Sequence, residues 1–176
     1  MTAASTYMLV FRLLHILGGI AWGGSIFLMV FFLQPAAKAV GPAAGPFMRE
    51  LLATRKLLDV VLGLAATTIV AGGFLYWNNI DTAGSLGDLL DTNYGIAITL
   101  GAISALIAFG IGWFATRPTV RRTLALGGQI AQAGDQPPPE LVQELQATQA
   151  RARTLAKVNF AFVAIAAFFM ATARYW

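Results

Sequence analysis

His15 is the single histidine in a chain of 176 residues, and it stands inside a long apolar run. Arg12, His15, Gly19 and Trp22 follow one another at intervals of three, four and three, so a helix would carry all four on one face. An ionisable group within a bilayer costs about 2.5–3.5 kcal/mol on insertion scales, which makes each one a functional candidate. An imidazole here has three open roles: a hydrogen bond to another helix, ligation of haem or a metal, or a proton relay. Gly19 leaves room one turn away for a flat cofactor or for a neighbouring helix. Arg12 can snorkel to water or pair with an anion such as a haem propionate. Thioethers add to this set at Met8, Met29, Met48 and Met170. Imidazole with thioether suits copper(I), and either can ligate haem iron. Met8 is about 10 Å from His15 along the helix, too far to share one small ion, so Met170 on another helix is the better second metal ligand. Packing is the other use of scattered methionines. Asp59 has Arg55 and Lys56 one turn back, which suggests an intrahelical ion pair. Asn159 is expected to hydrogen-bond across the bundle.

These residues need a membrane scaffold to hold them. The chain is 57% hydrophobic and only 11% charged, against about 25% charged for a soluble domain. Mean hydropathy is +0.68. With no cysteine, disulfides, zinc–thiolate sites and iron–sulfur clusters are excluded. Four stretches approach the roughly 20 apolar residues that a spanning helix needs: about 7–33, 57–77, 95–115 and 155–173. The first is long for a signal peptide and has no basic residue before it. The expected fold is all-α: one membrane domain over residues 1–176, a four-transmembrane-helix bundle.

Charge sets the expected orientation. Lys38, Arg49, Arg55 and Lys56 fall in or beside the first connection, and Arg117, Arg121, Arg122, Arg151, Arg153 and Lys157 in or beside the third. That is ten of the twelve basic residues, with only Arg12 and Arg174 at the other end. The positive-inside rule puts the ten in the cytoplasm and gives an N-out/C-out topology. The second connection carries Asp81, Asp88 and Asp91 and no basic residue. Tyr7, Tyr76, Trp77, Tyr94, Tyr175 and Trp176 all fall at the exterior ends of spans, as half of an aromatic belt. By this reckoning His15 lies about 12 Å below Tyr7, in the outer half of the bilayer.

The connections are uneven. Residues 34–45, with Pro35 and Pro42, read as a loop, after which Pro46 opens a helix expected to run on into the second span. Residues 116–154 read as a cytoplasmic helical hairpin between the third and fourth spans. It has a helix over 119–133, a turn over 134–138, and a helix from Pro139 unbroken into the fourth span. Leu141, Leu145, Thr148, Ala152 and Leu155 recur at three and four residues, an apolar stripe suited to a rigid connector or to docking a partner.

The run His15-Ile-Leu-Gly-Gly-Ile-Ala-Trp22-Gly23-Gly24, closed by Gln34-Pro35, resembles the opening helix of copper-resistance-D-like membrane proteins and of the small HemJ-type protoporphyrinogen oxidases. Phe47-Met48-Arg49-Glu50, then Arg55-Lys56 ahead of an apolar span with Gly72-Gly73, resembles the HemJ-type second helix. The resemblance covers about the first 77 residues. It implies haem b on His15, with Lys56 or Arg55 as a basic partner, in a multi-pass protein of the bacterial inner membrane. One imidazole per chain means that bis-histidine ligation would need a homodimer. The chain departs from the pattern in its single histidine and in its hairpin.

Three functions fit the sequence: a haem- or metal-binding redox protein, a path for copper or another small solute, or an accessory subunit of a larger membrane complex. No nucleotide motif, carboxylate pair or nucleophile–histidine–acid set is present, which disfavours a hydrolase or an ATP-driven pump. No basic–aromatic stretch suggests nucleic acid. The lipid bilayer is the partner that composition implies.

Overall fold

A computed structural model describes residues 3–134 and 136–175; Asp135 in the hairpin turn and Trp176 lie outside the described residues. Among those described, every regular element is helical. Four helical runs are long and apolar enough to cross a membrane: Thr6–Thr54, Leu57–Ala83, Asn93–Gln132 and Pro139–Tyr175. Only 17–33% of each apolar window is buried inside the protein. The outward faces carry residues such as Leu17, Ile20 and Phe114, each more than half exposed. Such faces are stable against hydrocarbon and not against water.

Helix α1 (Ala3–Leu28) packs mainly on α4 (Leu57–Ala83), and α6 (Asn93–Gly110) mainly on α8 (Pro139–Thr172). Small residues set the first seam: a Cβ at Gly18 would come 2.6 Å from the Thr68 hydroxyl oxygen, so the backbones approach closely there. Trp22, Val61, Ala65 and Ala108 join the two pairs in one buried cluster. At the end holding the chain termini, Ser85 and Thr92 cap α5 (Leu86–Leu90) and α6, accepting hydrogen bonds from the Asp88 and Gly95 N–H groups.

The opposite end departs from the sequence reading in two places. Residues 34–45 are helical rather than a loop: α1 widens into a π-turn at Met29–Leu33, and α2 (Gln34–Val40), a 3₁₀ turn and α3 (Gly45–Arg49) follow. Each proline lies in the first turn of a new helical piece, where its missing N–H is not needed. The helix opened near Pro46 does not run into the second span. It ends in a π-turn at Glu50–Thr54, and the chain turns at Lys56, the one non-glycine residue with positive φ (53°) among those described.

A third π-turn, Ile111–Thr116, precedes α7 (Arg117–Gln132). Its cause matches that of the first. Pro35 and Pro118 would clash with the carbonyls of Phe31 and Phe114 in a regular α-helix, and a widened turn relieves this. The hairpin itself is as expected. Helix α7 matches the expected 119–133 segment, Gly134 turns the chain at φ 72°, and α8 runs without a break into the fourth span. The stripe Leu141, Leu145, Thr148, Ala152 and Leu155 is half-buried. Arg122 and Glu144 tie α7 to α8 at 2.7 Å.

Candidate functional site

His15 lies in the α1–α4 seam. Its Nδ1 is 2.8 Å from the Thr68 carbonyl oxygen. A carbonyl only accepts, so Nδ1 carries the proton and the neutral ring keeps its lone pair on Nε2. The ring fits because residue 72 is glycine: a Cβ there would come 2.8 Å from His15 Cε1 and Nδ1. The hydrogen bond to another helix, one of three roles left open by sequence, is therefore present. Gly19 contributes less than Gly18, since its added Cβ would only touch Thr68 Cγ2 at 3.6 Å. Phe11 and Phe74 stack at 4.4 Å one turn further toward the termini.

The other sequence-selected residues are not gathered around His15. Arg12 is exposed on the surface of α1. Met170 packs against Gly101 in the α6–α8 seam. Arg55 pairs with Glu50 at 2.9 Å, and Lys56 is exposed at the corner. Lys56 is twelve residues from Thr68, about 18 Å along the helix, so the basic pair sits at the far end of α4 from the imidazole. Asp59 pairs with Arg117 (2.9 Å) and Arg121 (3.6 Å) across the bundle, not with Arg55 or Lys56 as proposed from spacing. The Arg117 guanidinium also lies 4.8 Å from the Trp113 ring centre. Among the described residues, no three His, Asp or Glu side chains converge as a metal site.

Trp22 belongs to a second place. It stands at the inner end of a cavity of about 940 Å³ that opens at the hairpin end of the bundle. This is a size that holds a ligand with many heavy atoms. The walls are largely apolar: Ile26 and Met29 from α1 and its π-turn, Leu57, Leu58, Val61 and Leu62 from α4, and Ala108 and Phe109 from α6. Toward the mouth stand Lys38 from α2, Arg49 from α3 and Arg153 from α8. None of the three has a carboxylate within 4.0 Å among the described residues; the one acidic side chain in the wall, Glu50, is paired with Arg55. Arg49 lies across the cavity against α7, where a Cβ at Gly128 would come 2.9 Å from its guanidinium. All three π-turns contribute to the wall, through Met29, Glu50 and Thr116 among others.

Two polar atoms in this wall have no partner. Asn159 is 5% exposed. Its Nδ2 donates to the Ala108 carbonyl at 3.1 Å, as expected from sequence, while its Oδ1 accepts nothing. The Thr116 hydroxyl is also buried and unpaired. A buried polar atom left in this state costs about 1–3 kcal/mol, so each calls for an explanation.

Compared with protein-family models, curated proteins and solved structures, the chain has no significant match. The site therefore has to be interpreted from its own chemistry. Sequence reasoning found Trp22, Met29, Met48, Arg49 and Asn159 one at a time but not as one cavity. The available signal was the clustering of Lys38, Arg49 and Arg153 at one membrane face, which had served only to orient the chain. Thr116 carried no signal at all.

Proposed function

We propose that this is a multi-pass membrane protein that binds a single-chain anionic amphiphile, taken from the leaflet at the hairpin end. The observation that carries this reading is one cavity with apolar walls whose mouth holds three cations, Lys38, Arg49 and Arg153, without carboxylate partners among the described residues. An acid head satisfies the cations, and its hydrocarbon body removes apolar wall from water at about 25 cal/mol per Å². The His15–Thr68 bond and the Phe11–Phe74 stack fill the α1–α4 seam toward the termini. That favours a binding site entered from one end over a path for copper or another solute.

The same basic residues support a cytoplasmic hairpin with both termini outside, and a bacterial inner membrane accords with the family resemblance. Because the chain has no cysteine, single replacements report sidedness. In intact cells Asp91→Cys reacts with an impermeant maleimide and Gln136→Cys does not; the reverse pattern refutes the orientation.

For the ligand, purified protein in phosphatidylcholine nanodiscs is titrated with dibromostearate while Trp22 emission is followed, with Trp22→Phe as the blank. Saturable quenching is expected. Replacing a mouth cation by Gln should weaken it by about tenfold, since a charge-assisted hydrogen bond is worth about 1.5–3 kcal/mol. Quenching that never saturates, or that ignores the cations, overturns the reading.

A second reading has its own support. The Nδ1–H···O=C bond of His15 leaves Nε2 as the free donor, the arrangement a haem or metal ligand commonly has. Haem b would supply a redox-active chromophore there, held by His15 with Arg12 one turn away. The visible spectrum tests it.

A further inference from the structure

A simple fatty acid would leave the deepest part of the cavity wall unsatisfied. Asn159 uses its N–H on the Ala108 carbonyl and keeps Oδ1 as an acceptor without a donor. Gly112 makes room for this amide, since a Cβ there would come 3.4 Å from Asn159 Nδ2 and 3.1 Å from Leu62 Cδ2. Thr116 is exceptional for a different reason. Helical threonines in this protein bond back to the carbonyl four residues earlier, as Thr68, Thr119 and Thr123 do. Thr116 closes a π-turn in which that carbonyl, Gly112 O, accepts the Arg117 N–H instead. Its hydroxyl is left buried and unpaired in the same cavity wall.

We propose that the amphiphile carries a hydroxyl group on its hydrocarbon body, far from the acid, and that Asn159 and Thr116 recognise it. This rests on the amphiphile reading above and specifies its ligand class. An acceptor oxygen requires a donor, so an O–H meets Asn159 where a ketone or ether does not. The oxygen of the same hydroxyl can accept from Thr116. Spacing excludes a hydroxyl next to the acid. Arg153 and Asn159 are six residues apart on α8, about 9 Å, and the Arg153 side chain leans toward the start of α8, away from Asn159. The ligand is therefore a mid-chain hydroxy acid, with its acid among Lys38, Arg49 and Arg153.

The test is displacement of dibromostearate from the full-length protein in the same nanodiscs. Three competitors are compared: oleate, ricinoleate, which has the same chain with a mid-chain hydroxyl, and α-hydroxyoleate. Ricinoleate is expected to displace the probe at a concentration about tenfold below the other two, the worth of satisfying a buried orphan. In Thr116→Val, and in Asn159→Leu where the variant remains folded, ricinoleate and oleate should compete equally. Equal competition in the unaltered protein, or a preference that persists in both variants, overturns the hydroxyl assignment and leaves the amphiphile reading standing. Absence of saturable quenching removes both.

Discussion

His15 and Gly72 fit together as a ring and the gap made for it. The imidazole donates through Nδ1 to the Thr68 carbonyl, and a methyl at position 72 would occupy the ring's place. This tautomer leaves Nε2 as the only nitrogen able to ligate. If haem binds here, gently purified protein shows a Soret band that His15→Ala abolishes; a colourless protein contradicts that reading and leaves His15 as a packing residue. Single residues were unevenly legible. Asn159 was readable as a bond across the bundle because a lone amide in hydrocarbon needs a partner. The partner of Asp59 was not readable. Local spacing favoured Arg55 and Lys56, but the ion pair is formed by Arg117, 58 residues away, which only the packing of α4 against the third span brings near. Gly72 carried no readable role, since a glycine does not reveal what fills the space it leaves.

At the scale of elements, prolines decide the end of the bundle that holds the cavity. Pro35 and Pro118 each follow a π-turn, and in both cases the widened turn stands in the cavity wall. Widening lets a helix continue past a proline, and in Thr116 it also releases a hydroxyl from its usual backbone bond. The four spans and the hairpin were legible because apolar length and three-and-four periodicity are local properties. The 34–54 segment was misread as partly loop because proline and glycine signal breaks, while here each proline begins a helical piece. The corner at Lys56 was equally hidden. A left-handed lysine costs about 1–2 kcal/mol and is sustained by the packing on either side, a nonlocal cause.

The whole molecule divides by function along the membrane normal. Toward the termini the α1–α4 seam is closed by the imidazole, the aromatic stack and the close approach at Gly18. Toward the hairpin the helices diverge around an apolar cavity whose mouth is basic. The cluster of Trp22, Val61, Ala65 and Ala108 lies between the two. Composition and charge made the membrane scaffold legible, but a cavity arises only where four helices and a hairpin meet, so no linear pattern announced it. The amphiphile account is tested most directly by photo-crosslinking the protein in nanodiscs with a diazirine-bearing fatty acid and mapping the adducts by mass spectrometry. The account predicts adducts on cavity residues such as Met29, Leu58 and Val61, suppressed by excess oleate and by the Lys38→Gln, Arg49→Gln and Arg153→Gln replacements. Adducts confined to lipid-facing residues such as Leu17, Ile20 and Phe114, and unaffected by oleate, would contradict it.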